Sequence, residues 1–209
     1  MVNPMGQILS SSRTSPSNGA GLFLKRWLRR PLHIGAVAPS GAALSRAMAT
    51  TVLSEEGAAE APIIELGAGT GSFTAALRDH GLERERLISV ERDPELYAWL
   101  RKHFPGLRLV AGDAADLKAL LAGEGVTRAG VVFSGLPLLS MPRPIVRAIL
   151  QGALSVLVPR GAFVQFTYGA GPPVPRALLE ELGLEATHGP RIWLNVPPAV
   201  IWTFRRRKR

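Results

Sequence analysis

Cysteine is absent from this 209-residue chain. Disulfides, thiolate metal sites and cysteine nucleophiles are therefore excluded, which is compatible with a reducing cytosol. No run approaches the ~18 uninterrupted apolar residues of a spanning helix, which argues against an integral membrane protein. Aromatic residues are scarce at 6%. The apolar share of 46% is nevertheless too high for a disordered chain and enough for one ordinary domain with a full core. Acidic residues are missing from long stretches: none precedes Glu55, lies between Glu124 and Glu180, or follows Glu185. Residues 1–54 carry Arg13, Lys25, Arg26, Arg29, Arg30 and Arg46 unopposed, and the chain ends on Arg205, Arg206, Arg207, Lys208 and Arg209. With a net charge of +9, this polarity points to a polyanionic partner, either nucleic acid or an anionic membrane surface. The competing reading is solubility together with an arginine-rich codon bias.

Residues 1–20 are rich in Ser and poor in apolar side chains and read as a mobile lead. A cleaved signal peptide fits poorly, because Pro31, Gly35, Pro39, Gly41 and Arg46 interrupt the apolar stretch after Arg30. Residues 21–30 predict a short basic amphipathic helix. Phe23, Leu24, Trp27 and Leu28 fall on one side, Lys25, Arg26 and Arg29 on the other, and Arg30 at the border. Such a composition suits a helix lying among lipid headgroups, and docking on its own domain is the alternative. Ser40 reads as the cap of a helix over 41–51 or as a wall of a ligand site. His33 is a lone histidine and reads as structural.

From Pro62 onward short β-rich runs alternate with helical stretches. Strands are predicted over 62–66, 87–91, 107–111, 129–134, 162–168, 186–194 and 199–205, with helices over 73–80, 94–103, 116–121, 143–157 and 175–182. Alternation implies an α/β fold with a mainly parallel sheet and helices on both faces. The short link Asn195-Val196-Pro197-Pro198 implies that the last two strands form an antiparallel pair at a sheet edge.

The first strand runs into Glu65-Leu66-Gly67-Ala68-Gly69-Thr70-Gly71. Gly67 and Gly69 let backbone pass close under a ligand, and Gly71 admits close helix–strand packing. There is no Gly-Lys-Ser/Thr, which disfavours a phosphate cradle, and Ser72 stands where a dinucleotide fingerprint wants glycine. The second strand ends on Glu91, placed to grip the two hydroxyls of a ribose. The third gives Gly112-Asp113-Ala114, with Asp113 able to accept from an adenine amino group. Three strand tips thus present a glycine-rich turn, a ribose acceptor and an adenine acceptor in order.

On these residues the chain resembles the class I S-adenosylmethionine-dependent methyltransferases over about 55–205. The resemblance implies a Rossmann-like, seven-stranded, mainly parallel sheet with a C-terminal antiparallel hairpin, and S-adenosylmethionine as cofactor with S-adenosylhomocysteine as product. It implies a cofactor site at Glu65, Gly67, Ala68, Gly69, Gly71, Glu91, Arg92, Asp113, Ala114 and Ser134, with no metal. Strand four ends Phe133-Ser134-Gly135-Leu136-Pro137-Leu138, where nucleic-acid amino-methylating members carry an aromatic residue in place of Leu138. Losing that base-stacking ring disfavours nucleic acid as partner, although an rRNA or DNA adenine methyltransferase is kept as the alternative. The expected end of the chain at the closing hairpin also leaves no room for a helical RNA-binding domain.

Further segments resemble the soluble, peripheral bacterial phospholipid N-methyltransferases. They are Phe23-Leu24-Lys25, residues 34–41, Ser134 to Leu139, Gln165-Phe166-Thr167-Tyr168, Arg191, Asn195 and Pro197-Pro198. This resemblance implies stepwise methylation of phosphatidylethanolamine toward phosphatidylcholine on the inner face of the cell membrane. It also implies that residues 21–54 bind the anionic membrane surface and cover the substrate, and that residues 55–209 are the methyltransferase domain. Candidate catalytic groups are the Ser134 and Gly135 carbonyls and the Tyr168 hydroxyl around the amine, with Tyr168, Arg191 and Asn195 as candidate lipid contacts. A catalytically silent membrane module of the same fold is disfavoured by the intact Glu65, Gly67, Gly69, Glu91 and Asp113. Oligomeric state is not encoded in any of these patterns.

Overall fold

The computed structural model describes residues 39–168, 171–195 and 197–208. The expected lead, the amphipathic segment from Phe23 to Arg30, and His33 lie outside the described residues. The elements run α1 (Pro39–Ser54), α2 (Glu56–Glu60), β1 (Ile63–Leu66), α3 (Ser72–Asp79), β2 (Leu87–Glu91), α4 (Pro94–His103) and β3 (Arg108–Ala111). They continue α5 (Leu117–Gly123), β4 (Ala129–Ser134), α6 (Arg143–Val156), β5 (Leu157–Thr167), α7 (Arg176–Glu181), β6 (Leu184–Ile192) and β7 (Ala199–Arg206). The seven strands form one sheet in the order β3-β2-β1-β4-β5-β7-β6. The first five are parallel, and β7 inserts antiparallel between β5 and the edge strand β6.

Both faces of the sheet are covered, which is why β1, β2 and β4 are buried along their whole length and read as nearly continuous apolar runs. One layer packs Leu117, Leu121, Ile149, Leu150, Ala153 and Leu178 of α5, α6 and α7 on Ile64, Val132, Phe163 and Phe204. The other packs Leu44, Met48 and Val52 of α1 with Leu77 of α3 on Ile63, Val131, Phe133 and Val164. Helix α1 is thus a full member of this second layer, continuous with the domain that follows it. It begins at Pro39, so Ser40 lies within its first turn.

Strand and helix bounds follow the sequence pattern closely, with two differences. Strand β5 starts at Leu157, five residues earlier than the pattern predicts, because pairing with β4 continues past a register shift between Ala129 and Val131. The short α2 escapes the pattern altogether. It lies against the sheet where Gly57 and Gly130 meet backbone to backbone, an approach that a Cβ on either residue would block.

The end of the sheet where β1 to β5 begin is here called lower, and the end where they finish upper. Five arginines have partners within the fold at the lower end. Arg205 grips the Glu55 carboxylate through Nη2 (2.7 and 2.6 Å) and Nε (3.1 Å). Arg206 donates to the carbonyls of Leu154, Leu157 and Val158, and Arg207 to Leu184 O. Arg160 pairs with Glu56 and Glu60 of α2, and Arg86 donates to the carbonyls of Ala58 and Ala61. Read as sequence, the C-terminal basic run suggests a surface for polyanions. In the fold Arg205, Arg206 and Arg207 close the domain on itself, because β7 ends beside the α1–α2 junction and the starts of β5 and β6.

Candidate functional site

The upper ends of β3, β2, β1 and β4 lie side by side and carry the predicted site residues. Glu65 of β1 is fully buried. Its Oε2 accepts from Thr74 Oγ1 of α3 (2.5 Å) and from Ser89 Oγ of β2 (2.6 Å), while Oε1 has no partner among the described residues. Burial pushes its carboxyl up to about 7; the two hydroxyls oppose the rise, and the charge of Glu91 adds to it. A carboxylic acid in such surroundings is half protonated near neutrality.

The turn after β1 bends sharply, with Gly67, Gly69 and Gly71 all at positive φ (70°, 59° and 83°). At Gly67 a Cβ would also stand 2.5 Å from Leu136 Cδ2, so this position needs glycine for conformation and for space. A Cβ on Gly69 would meet only Gly67 O, at 4.0 Å, leaving open space over the loop. Glu91 ties this turn to the next strand tip: its Oε2 accepts from Gly69 N (2.9 Å) and its Oε1 from Asp93 N (2.8 Å). Asp93 in turn caps α4, accepting from the backbone N–H groups of Glu95 and Leu96.

At the tip of β3, Asp113 accepts from Ala115 N (2.9 Å) and pairs with Arg92 (2.8 Å). The Ala115 N–H and the Arg92 guanidinium hold the Asp113 carboxyl below the ordinary carboxylate range. The strand-four turn crosses directly over the glycine turn. Gly135 N donates to Leu66 O (2.9 Å), and Ser134 Oγ accepts from Leu136 N (3.1 Å). Gln165 of β5 donates through Nε2 to Leu136 O (3.0 Å), locking the turn to its neighbour strand.

Tyr168 follows β5. Its ring meets Phe166 edge-on at 5.4 Å, at the end of a row of rings running through Phe73 to Phe133. Its hydroxyl bonds the side chain of Asn195, and burial holds its pKa above the ordinary 10. The Tyr168 hydroxyl is therefore neutral at physiological pH: it donates or accepts a hydrogen bond but is no base. Asn195 is buried, and its amide also donates to Pro197 O (2.7 Å). It faces Tyr168 rather than solvent. Arg191 is exposed, its guanidinium 5.2 Å over the Trp193 ring, and has no ion-pair partner among the described residues.

A family profile described as a methyltransferase domain matches residues 63–161. An ornithine lipid N-methyltransferase of Singulisphaera acidiphila is 36% identical over 149 residues, covering 70% of this chain and 76% of that protein. The chain belongs to the class I S-adenosylmethionine-dependent methyltransferases. A ribosomal RNA small subunit methyltransferase A of Chelativorans sp. is 41% identical over 71 residues, 31% of this chain and 25% of that protein. Among solved structures, the 1,6-didemethyltoxoflavin N1-methyltransferase of Burkholderia thailandensis shares the fold at TM-score 0.62 and 15% identity, covering 96% of this chain and 94% of that one. The glycopeptide N-methyltransferase MtfA does so at TM-score 0.61 and 17% identity, covering 85% of this chain and 99% of that one.

The upper end of this methyltransferase fits its cofactor. Glu65 Oε1 is a buried acceptor without a donor, the glycine turn has open space above it, and Glu91 sits at the tip next to that turn. The structure brings Glu65, the 67–71 turn, Glu91, Arg92, Asp113, Ala114, Ser134 and Gly135 to adjacent strand tips, as the sequence predicts. It divides the candidate lipid contacts: Asn195 is buried against Tyr168, whereas Arg191 stands free. Sequence reasoning gave no role to Thr74, Ser89 and Gln165, which hold Glu65 and the strand-four turn. The available signal is a polar residue at a buried strand position, as at Ser89 and Gln165, since such a residue must find a partner.

Proposed function

We propose that this methyltransferase acts on the amine of a lipid headgroup, with phosphatidylethanolamine and its mono- and dimethyl derivatives as substrates on the way to phosphatidylcholine. The lipid amine rests on the 36% identity to an ornithine lipid N-methyltransferase over three-quarters of that protein, together with a strand-four turn that lacks a base-stacking ring; phosphatidylethanolamine rests on the exposed Arg191, which suits a headgroup phosphate. When bound, S-adenosylmethionine supplies a sulfonium methyl group open to in-line displacement by a neutral nitrogen. Glu91 accepts from ribose hydroxyls, Asp113 from the adenine amino group, and the 67–71 turn gives the backbone close approach. Glu65 offers Oε1 to a donor or cationic group of the cofactor.

On the substrate side, the Ser134 and Gly135 carbonyls and the neutral Tyr168 hydroxyl hold the amine N–H groups. They orient the lone pair and exclude water without carrying a charge that would keep the amine protonated. The Tyr168 ring face supports the cation that grows with each methylation. Arg191, exposed and without a carboxylate partner, takes the headgroup phosphate. Among the described residues no helix is long and apolar enough to cross a membrane. In this reading the enzyme acts from the bilayer surface, with the basic segment 21–30 as an anchor on its cytoplasmic face.

A second reading, an ornithine headgroup, is favoured by the relative's own substrate and differs in bringing no phosphodiester for Arg191. The test is transfer of labelled methyl from S-adenosylmethionine to vesicles of phosphatidylethanolamine with anionic lipid, to ornithine-lipid vesicles, and to bulk RNA. Label in phosphatidylethanolamine, lost in Glu91→Ala and weakened in Arg191→Ala, supports the reading. Label confined to ornithine lipid moves the substrate to the second reading, and label in RNA alone overturns both.

A further inference from the structure

We propose that the tip of the β6–β7 hairpin is a second membrane-docking element, built from Trp193 and Leu194 with Arg191 beside them. The proposal rests on the lipid reading above and extends it from the headgroup to the surface that carries it. Four large apolar residues are exposed among the described residues: Leu139, Ile145, Trp193 and Leu194, at 58, 37, 69 and 77%. Exposed residues of this size scattered over a surface need no explanation, but these are not scattered. Leu139 follows β4, Ile145 opens α6, and Trp193 and Leu194 follow β6, so all four stand at the upper end of the sheet, where the candidate amine site lies. The lower end, clasped by arginines, has none of them.

The chemistry of the tip selects a bilayer as its occupant. Trp193 offers an amphipathic ring, Leu194 a purely apolar side chain, and Arg191 a cation stacked on the tryptophan at 5.2 Å. This combination belongs at headgroup depth, where an indole is half solvated and a guanidinium meets lipid phosphates. Arg143, exposed at the start of α6, adds a second cation on the same rim without an ion-pair partner among the described residues. The tip is also held in place. Asn195, immediately after Leu194, is buried, donates to Pro197 O and bonds the Tyr168 hydroxyl. Docking at residues 193–194 therefore places the hairpin end, and through Asn195 the Tyr168 hydroxyl, at the level of the headgroups.

The test compares the full chain with its Trp193→Ala/Leu194→Ser variant. Co-sedimentation uses vesicles of equal phosphatidylethanolamine and phosphatidylglycerol, and lipid methylation is read in the same tubes. Removing the two side chains from the apolar boundary is expected to weaken vesicle partition by about tenfold or more. Calorimetric affinity for S-adenosylmethionine stays within about twofold, since neither residue touches the candidate cofactor site. Should the double variant fold poorly, Leu194→Glu alone, at a position 77% exposed, is expected to weaken partition at least as much. Equal partition of wild type and variants overturns the docking proposal, and lipid labelling by the wild type in those tubes leaves the lipid reading standing. A wild-type oligomer that the variant dissolves, seen by light scattering, overturns it in favour of a second copy as the occupant. Absence of label in phosphatidylethanolamine while partition still falls defeats that substrate and keeps the docking surface.

Discussion

At the lower end of the sheet five arginines are engaged by the fold's own groups, Glu55, Glu56, Glu60 and a set of backbone carbonyls. At the upper end Arg143 and Arg191 have no ion-pair partner among the described residues, Glu65 keeps an unpartnered oxygen, and four large apolar side chains face outward. The lower end satisfies the buried Glu55 carboxylate and the clasped carbonyls internally. Arg84 and Arg128 there, without an ion-pair partner among the described residues, have no large exposed apolar side chain beside them. The upper end leaves donors, acceptors and apolar area unmatched, as a surface does when its partners arrive from outside. The same residue type, arginine, closes the fold at one end and at the other, as Arg143 and Arg191, stands beside exposed apolar side chains. Only position in the fold distinguishes the two uses.

The contrast breaks if changes at the two ends have the same consequences. The largest effect is expected from Glu91→Gln, which keeps an acceptor for Gly69 N but removes the charge at the candidate ribose site. Its kcat/KM should fall by about 30- to 100-fold, the range of a lost charge-assisted hydrogen bond, with Tm lower by about 2–5 °C, because the amide nitrogen that replaces one carboxylate oxygen no longer accepts from Asp93 N. Next comes Arg205→Ala at the lower end, which strands a Glu55 carboxylate whose side chain is only 6% exposed. A cost of about 2–3 kcal/mol, seen as a Tm lower by about 5–10 °C, is expected, with calorimetric cofactor affinity unchanged.

A third prediction sharpens the upper end. Because burial raises the Glu65 carboxyl to about 7, the folded state binds its proton more tightly than the unfolded chain does. The contribution is fully present below the unfolded pKa of about 4.5 and is lost as pH rises through about 7. Between pH 5 and 7 the cofactor-free protein should lose about 2 kcal/mol from this group. Denaturant unfolding of Glu65→Gln at both pH values should show that slope removed. The smallest effect is expected from Tyr168→Phe, which keeps the ring and deletes a neutral hydroxyl: kcat lower by about 3- to 10-fold. Its pH profile should match that of the wild type below pH 9, since the hydroxyl does not ionise there; a profile that loses a limb would mean that Tyr168 acts as a base.

Much of the cofactor end was legible because its signals are local. Glycines at 67, 69 and 71 are required by backbone angles within one turn, and Glu91 and Asp113 fall at strand tips that the apolar runs reveal by themselves. The antiparallel end of the sheet was legible for the same reason, since a short Pro-Pro link forces the chain back along its neighbour. Where partners are far apart in the chain, the pattern was silent or misleading. Ser89 and Gln165 look like breaks in apolar strands until Glu65 and Leu136 are placed beside them. Asn195 looks like a surface contact until Tyr168 is found against it.

The sequence by itself determined the element order, the glycine turn and the row of acidic strand tips, because helix and strand periodicity and turn conformation depend on near neighbours. Tertiary structure alone decided which arginines are clasps and which are free, which carboxylate is forced toward neutrality, and that the exposed Trp193-Leu194 pair shares an end with the site. Each of these depends on burial and on partners brought together from distant parts of the chain, as Glu55 and Arg205 are, and a linear pattern carries no record of either.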